Sequence, residues 1–273
     1  INLDMLALKH WGPHFAGAKG AAFDGGMIKS LKDFETIVKP HPFAIDRDFL
    51  ECAPVLVRLC REEGICSCFS THFGFENVFE SIGCEDFCYA LFENRPLIET
   101  FLDYYRDVYT RVIECFRSLG SDIVVIGDDL AYGQGPFISP DLFDSIFLPR
   151  FRQMARIIDC PWIYHSVGNL LPLMESVLSL GMNGIHPIEP YGTMDIREVK
   201  RRYGERICLC GNLDMNIIAR GTPEDIEKGV LYLYEHVGYN GGWALSSSNS
   251  IDAGANPRNV EAMGRVLGSL SVR

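Results

Sequence analysis

The sequence predicts an α/β protein of the (β/α)8 TIM-barrel class, with either part of the parent fold's N-terminal region missing from this chain or its first units irregular. Three observations lead there. First, six apolar runs end abruptly in polar residues: CSCFSTH at 66–72, IVVIGDDL at 123–130, PWIYHSV at 161–167, GIHPIEP at 184–190, ICLCGNLD at 207–214 and GWALSSSNS at 242–250. Strands buried on both faces read as continuous apolar runs, which marks parallel strands covered by helices. Second, helical patterns that stop near a glycine separate most of these runs. Third, the polar residues collect at the C-terminal strand ends, the face on which (β/α) barrels carry their chemistry. Six clear strands are fewer than a closed eight-stranded barrel needs; a seventh is expected around Phe15–Phe23.

The elements follow in order. A short helix is predicted after Ser30 and stopped by Pro40 and Pro42, and a second over about 46–63, with Pro54 as a kink or restart. After the strand at 66–72 comes a long helical insertion in which Leu97, Phe101, Tyr104, Val108, Val112 and Phe116 keep helical spacing up to Gly120. The strand at 123–127 leads to a helix behind Ser139-Pro140, since proline favours the first helical position. The strands at 161–165, 184–188, 207–211 and 242–246 then alternate with NLLPLMESVLSLG, DIREVKRRYG, TPEDIEKGVLYLYEHVG and NPRNVEAMGRVLGSL. No linker interrupts this rhythm, so residues 1–273 are expected to form one domain.

With 47% hydrophobic residues the chain can bury a large core, and its net charge of −11 argues against a nucleic-acid partner. No run of eighteen apolar residues spans a membrane, and the opening INLDMLALKHWGPHF lacks the zones of a signal peptide, so a cytoplasmic protein is expected. Ten cysteines are too sparse for a disulfide scaffold. Cys66 with Cys68, and Cys208 with Cys210, share strand faces. They precede the polar strand ends and are read as core packing rather than metal ligands, reduced in a reducing compartment.

The polar ends carry the candidate chemistry. Asp128 and Asp129 are neighbours and point in different directions, so one is expected to serve as a general base or substrate anchor while the other caps a loop amide. His165 is the candidate proton donor, anion partner or metal ligand, and Glu189 its expected partner. His186, three residues before Glu189, is read as structural. Asn212, Asp214, Ser246, Ser248 and Asn249 offer donors and acceptors for a polar ligand, and His72, Phe73 and Tyr132 are expected to line the same mouth. The catalytic candidates are therefore His165, Asp128 and Glu189, and the remainder with Asp129 are binding candidates. The G-x-x-x-x-G-K-[ST], G-x-G-x-x-G and H-E-x-x-H patterns are absent.

The segments GDDLAYGQGPFISPDLFDSIFLPRFRQM, YHSVGNLLPLMESVLSLGMNGIHPIEP, ERICLCGNLDMNIIARGTPEDIEKGV and NPRNVEAM together resemble the uroporphyrinogen decarboxylase superfamily, over about residues 70–267. The resemblance implies a (β/α) barrel and one of two activities: decarboxylation of uroporphyrinogen, or methyl transfer involving a cobamide carried on a separate corrinoid protein. The decarboxylases' N-terminal arginine-rich motif has no counterpart here, and their late Gly-His-Gly region reads Ser-Ser-Ser-Asn. The His-x-Cys motif of the zinc-dependent thiol methyltransferases reads His165-Ser166-Val167, and their later Cys falls among the serines. Zinc held by thiolates is thus not expected, whereas a site of His165 with carboxylates stays open.

What remains resembles the methyltransferases that demethylate methoxylated or methylamino compounds and hand the methyl group to Co(I). Such an enzyme needs a group that helps the leaving oxygen or nitrogen depart, and an acidic rim where the corrinoid protein docks. The expected partners are a small-molecule methyl donor and the corrinoid protein, with a homodimer left open. A non-catalytic small-ligand-binding barrel is the alternative from another class, since fold does not fix function.

Overall fold

The computed structural model describes residues 26–40, 43–190, 193–251 and 253–270. The strand expected around Phe15–Phe23 lies outside the described residues. In chain order the elements are α1 (Arg47–Glu62), β1 (Cys68–Thr71), α2 (Phe75–Ile82), α3 (Cys84–Glu93), α4 (Arg95–Leu119), β2 (Ile123–Gly127), β3 (Ala131–Tyr132), β4 (Gly135–Pro136) and α5 (Leu148–Ala155). Then follow β5 (Trp162–His165), α6 (Met174–Leu178), β6 (Gly184–His186), α7 (Ile196–Tyr203), β7 (Cys208–Cys210), α8 (Met215–Arg220), α9 (Pro223–Leu233), β8 (Trp243–Ala244) and α10 (Pro257–Ser269). The chain is an α/β protein of parallel strands alternating with helices, as the apolar runs predict.

Two compact units divide the chain. One takes the described residues through Asp128 together with Pro140–Trp162, and the other takes Asp129–Ser139 with the described residues from Ile163 onward.

In the first unit β1 and β2 pair in parallel, Cys68 opposite Ile123 and Thr71 opposite Ile126. Helix α1 starts because the Asp46 carboxylate accepts hydrogen bonds from the Asp48 and Phe49 backbone N–H groups, and it buries Phe49, Ala53 and Val57, spaced four residues apart on one face. Pro54 is accommodated inside it without ending the helix. The predicted insertion resolves into α2, α3 and α4. Helix α4 carries Pro96 in its first turn, ends at Gly120 in the left-handed conformation (φ +69°), and buries a stripe from Leu97 to Phe116. Aromatic rings fill this core: Phe75 packs against Phe87 and Phe147, and Phe73 against Phe151 and Trp162. Cys66 and Cys68, expected in the core, are exposed.

In the second unit β5, β6, β7 and β8 pair in parallel in that order, with His165 opposite His186 and Leu209 opposite Trp243. The short β3–β4 hairpin pairs Ala131 with Pro136. Helix α9 opens on a reciprocal cap between Thr222 and Asp225, with Pro223 at its first position. Helix α10 opens on Asn256. One buried polar residue on it, Asn259, donates from its side-chain amide to the Ile218 carbonyl at 3.0 Å and the Gly221 carbonyl at 2.8 Å, satisfying carbonyls at the end of α8. Among the described residues no helix is long and apolar enough to cross a membrane.

Candidate functional site

The polar residues singled out in the sequence follow the C-terminal ends of the parallel strands: His72 after β1, Asp128 and Asp129 after β2, His165 at the end of β5, Glu189 after β6, Asn212 and Asp214 after β7, and Ser246 after β8. The two units hold different subsets.

In the second unit the central feature is a pair of imidazoles. His165 Nδ1 lies 2.6 Å from His186 Nδ1, and the two rings stack with centroids 4.9 Å apart. The far nitrogen of His186, Nε2, lies 3.3 Å from the Ser247 carbonyl oxygen. A carbonyl can only accept, so His186 Nε2 carries the hydrogen. Burial, aided by the neighbouring His165, lowers the His186 pKa to about 4, so this ring is neutral near pH 7 and its Nδ1 accepts. His165 Nδ1–H must then be the donor, which fixes its tautomer. Its other nitrogen, Nε2, faces the Asp129 carboxylate at 4.0 Å. Both side chains stay open to solvent, 27% for His165 and 29% for Asp129.

The loop behind His165 holds the carboxylates through its backbone. Val167 N–H donates to Asp129 Oδ1 at 2.8 Å, and Gly168 N–H donates to Glu189 Oε2 at 3.2 Å. Leu130 N–H donates to Ser166 Oγ and Asn169 N–H to the Tyr132 carbonyl, which binds this loop to the segment after Asp129. Gly168 has φ +79°, and a Cβ there would sit 2.6 Å from the Tyr132 carbonyl carbon and oxygen. Only glycine fits.

His165 thus lies beside His186 and Asp129, whereas Glu189, its expected partner, is tied to the following loop through the Gly168 N–H. Strands in parallel register place paired residues on the same side, so the pairing of β5 with β6 brings the two histidines side by side. Counting only from Glu189 along one strand missed this; the aligned ends of the PWIYH and GIH runs were the available signal.

The remaining candidates of this unit bind the protein's own backbone. Asn212 donates to the Ile188 carbonyl at 2.6 Å, Asp214 caps α8 through the Asn216 N–H, and Ser248 Oγ accepts from the Met215 N–H. Ser246 Oγ donates to the Ser247 carbonyl, and Asn249 accepts from the Ser250 N–H. Tyr132 is half exposed, with its ring against Phe137. A cavity of about 410 Å³ is lined by Asn212, Asp214, Thr193, Arg197 and Tyr232 among others, and neither His165 nor Asp129 borders it.

In the first unit Asp128 is completely buried, and its oxygens accept from the Phe73 and Glu76 backbone N–H groups, each at 2.9 Å. It works as a cap on the first turn of α2 supplied from another element. Burial pushes its carboxyl pKa up, while the nearby His72 and these hydrogen bonds pull it down. His72 Nδ1 lies 3.9 Å from Glu76 Oε2. The sequence reading passed over Glu76; its position in the first helical turn after a polar strand end was the signal. Phe73, expected at the mouth, instead buries its ring among Phe151 and Trp162 and offers only its N–H to Asp128.

A zinc ion held by thiolates does not fit the surroundings of His165. The residues beside it are Ser166 and Val167, and Cys208 and Cys210 lie within β7, where the two thiols hydrogen-bond to each other. That bond and the Lys200 ammonium lower the Cys208 pKa, although burial opposes them.

Known proteins bear out the family reading. A uroporphyrinogen decarboxylase from Coxiella burnetii is 22% identical over 190 residues, covering 67% of this chain and 50% of that protein. A methylated-thiol–coenzyme M methyltransferase from Methanosarcina mazei is 24% identical over 127 residues, 46% of this chain and 33% of that protein. The chain spans about half the length of the first of these, or less of the second. Among solved structures, a methyltransferase from Methanosarcina mazei superposes with a TM-score of 0.68 at 18% identity, covering 86% of this chain and 68% of that one. A B12-independent methionine synthase from Shewanella sp. W3-18-1 superposes with a TM-score of 0.55 at 10% identity over 84% of this chain and 69% of that one. These likenesses establish the fold. The family model for uroporphyrinogen decarboxylase (URO-D) matches residues 77–268, the larger part of the sequence, and the chain belongs to that family.

Proposed function

We propose that this chain is a methyltransferase that moves a methyl group from a small methoxylated or methylamino compound to the cobalt of a partner corrinoid protein. The observation that carries the reading is the fixed tautomer of His165. With Nδ1–H committed to His186, Nε2 is the nitrogen that holds and releases an exchangeable proton, and it stands beside Asp129 at a solvent-reachable strand end. The corrinoid, when bound by its own carrier, supplies the nucleophile that accepts the methyl carbon.

This chain's residues have three tasks. His165 Nε2–H protonates the oxygen or nitrogen left behind. Asp129 faces the ring on that side, and Glu189, tied to Gly168, holds the loop that carries His165. The partial exposure of His165 and Asp129 suits a cofactor presented from outside, since no residue here has to ligate cobalt. Likeness to methyltransferases in sequence and fold supports the reading.

A second reading, decarboxylation of uroporphyrinogen, is favoured by the names of several relatives. Against it stand Ser246, Ser247 and Ser248 in the region where the decarboxylases carry Gly-His-Gly. The test mixes the protein with a reduced corrinoid protein and a panel of methoxylated and methylamino donors, and follows loss of the Co(I) absorbance. Turnover is expected with at least one donor, and His165→Ala should slow it by about 10²- to 10⁴-fold, the contribution of one proton transfer. No loss of Co(I) with any donor, together with coproporphyrinogen formed from uroporphyrinogen, would replace this reading with the second.

A further inference from the structure

We propose that His72, Glu76 and Asp128 form a binding site for one divalent cation of the manganese or zinc type, placed where β1 and β2 end and α2 begins. One donor atom from each residue lies within 4.8 Å of the others. A cation with bonds of roughly 2.0–2.2 Å holds neighbouring ligand atoms some 3–4 Å apart, so closure needs movements of about an ångström or less. One imidazole nitrogen and two carboxylate oxygens suit zinc, manganese or ferrous iron, and three protein ligands leave coordination positions open for water or a substrate oxygen.

Helix capping explains Asp128 by itself, but it does not explain why two further groups converge on it. Glu76 brings a second carboxylate within 4.8 Å of a carboxylate that is fully buried. Like charges at this range repel, the more so because one of the two is withdrawn from water. An imidazolium balances one of the two; a divalent cation balances both.

The Asp128 carboxylate is also prepared in the manner of a ligand. Its oxygens accept backbone N–H groups, among them those of Glu76 at Oδ1 and Phe73 at Oδ2, which fixes the plane of the carboxylate. The side chains of His72 and Glu76 remain 18% and 30% exposed, which gives an ion a way in. The site uses none of Asp129, His165, His186 or Glu189 and does not rest on the methyl-transfer reading.

Because the chain has ten cysteines, which bind zinc readily, Mn²⁺ is the primary probe and Co²⁺ the spectroscopic one. The full chain is stripped with a chelator and titrated with Mn²⁺ alone by calorimetry and electron paramagnetic resonance, then with Co²⁺ alone by visible absorption. The expected result is one Mn²⁺ per chain and a Co²⁺ spectrum without thiolate charge-transfer bands. Loss of a residue that merely orients a ligand weakens metal sites roughly tenfold to a hundredfold, so His72→Ala and Glu76→Gln should each weaken binding by at least that much. Glu76 is partly exposed, so circular dichroism of Glu76→Gln should match the wild type. Failure of the stripped wild type to bind either ion would overturn the proposal. So would affinities unchanged in both variants, or a Co²⁺ spectrum dominated by thiolate bands.

Discussion

The hydrogen on His165 is the detail on which the functional reading turns, and replacing His186 by leucine tests it directly. In the wild type the Ser247 carbonyl assigns the His186 hydrogen to Nε2, and His165 must donate from Nδ1 across 2.6 Å. A hydrogen bond of this kind contributes about 0.5–1.5 kcal/mol net. At 1.4 kcal/mol per factor of ten, that biases His165 toward the Nδ1–H form by roughly two- to tenfold. Leucine fills much of the volume of the buried ring but accepts nothing, so the bias should vanish. The measurement is a two-bond ¹⁵N–¹H correlation at about pH 8, above the ordinary imidazole range, where nitrogen shifts separate the two tautomers. His165 should read as mainly Nδ1–H in the wild type and shift toward Nε2–H in His186→Leu. A wild-type His165 that is mainly Nε2–H, or a ratio the substitution leaves unchanged, would refute the assignment of the exchangeable proton to Nε2.

The same buried ring should make stability depend on pH. His186 has a folded pKa of about 4 against an ordinary value of 6.5, so between those values the unfolded chain takes up a proton that the folded one refuses. Its contribution is fully present above pH 6.5 and is lost as the pH falls toward 4, by at most about 3 kcal/mol and less with solvent screening. The fall in melting temperature between pH 7 and pH 5 should be smaller in His186→Asn than in the wild type; equal falls would contradict the assignment. Gly168→Ala should lower stability by about 2 kcal/mol or more, from the left-handed backbone and the collision with Tyr132. That corresponds to a melting temperature lower by roughly 4–8 °C, and a change under one degree would show that the loop yields freely.

Much of this architecture can be read from residue patterns alone. The apolar runs locate the six parallel strands to within a few residues, although along β1, β2 and β5 buried residues alternate with half-exposed or exposed ones. Asp46, Thr222 and Asn256 announce their helices through side chains that satisfy the first N–H groups. The chemistry at the strand ends is less legible. Asn212, Asp214 and Ser248 look like ligand-binding groups in a list of residues, yet tight loops expose backbone amides and carbonyls that the nearest polar side chains must satisfy. Phe73 follows a polar strand end, but the aromatic core behind it claims the ring. The meeting of His186 with His165 depends on strand register, which no single segment contains. Cys66 and Cys68 illustrate the opposite limit: an apolar run does not reveal whether a neighbour covers both of its faces.

Asn259 carries a lesson for anyone dividing this chain into smaller pieces. Its amide closes off carbonyls at the end of α8, so the last described helix acts as a plug for an element more than thirty residues upstream. A fragment cut just before Pro257 would retain every parallel strand and every strand-end residue discussed above. It would also leave those carbonyls without the Asn259 donor. The segment after β8 is therefore a fastening rather than a trailing end, and expression boundaries, fusion partners and affinity tags belong beyond it.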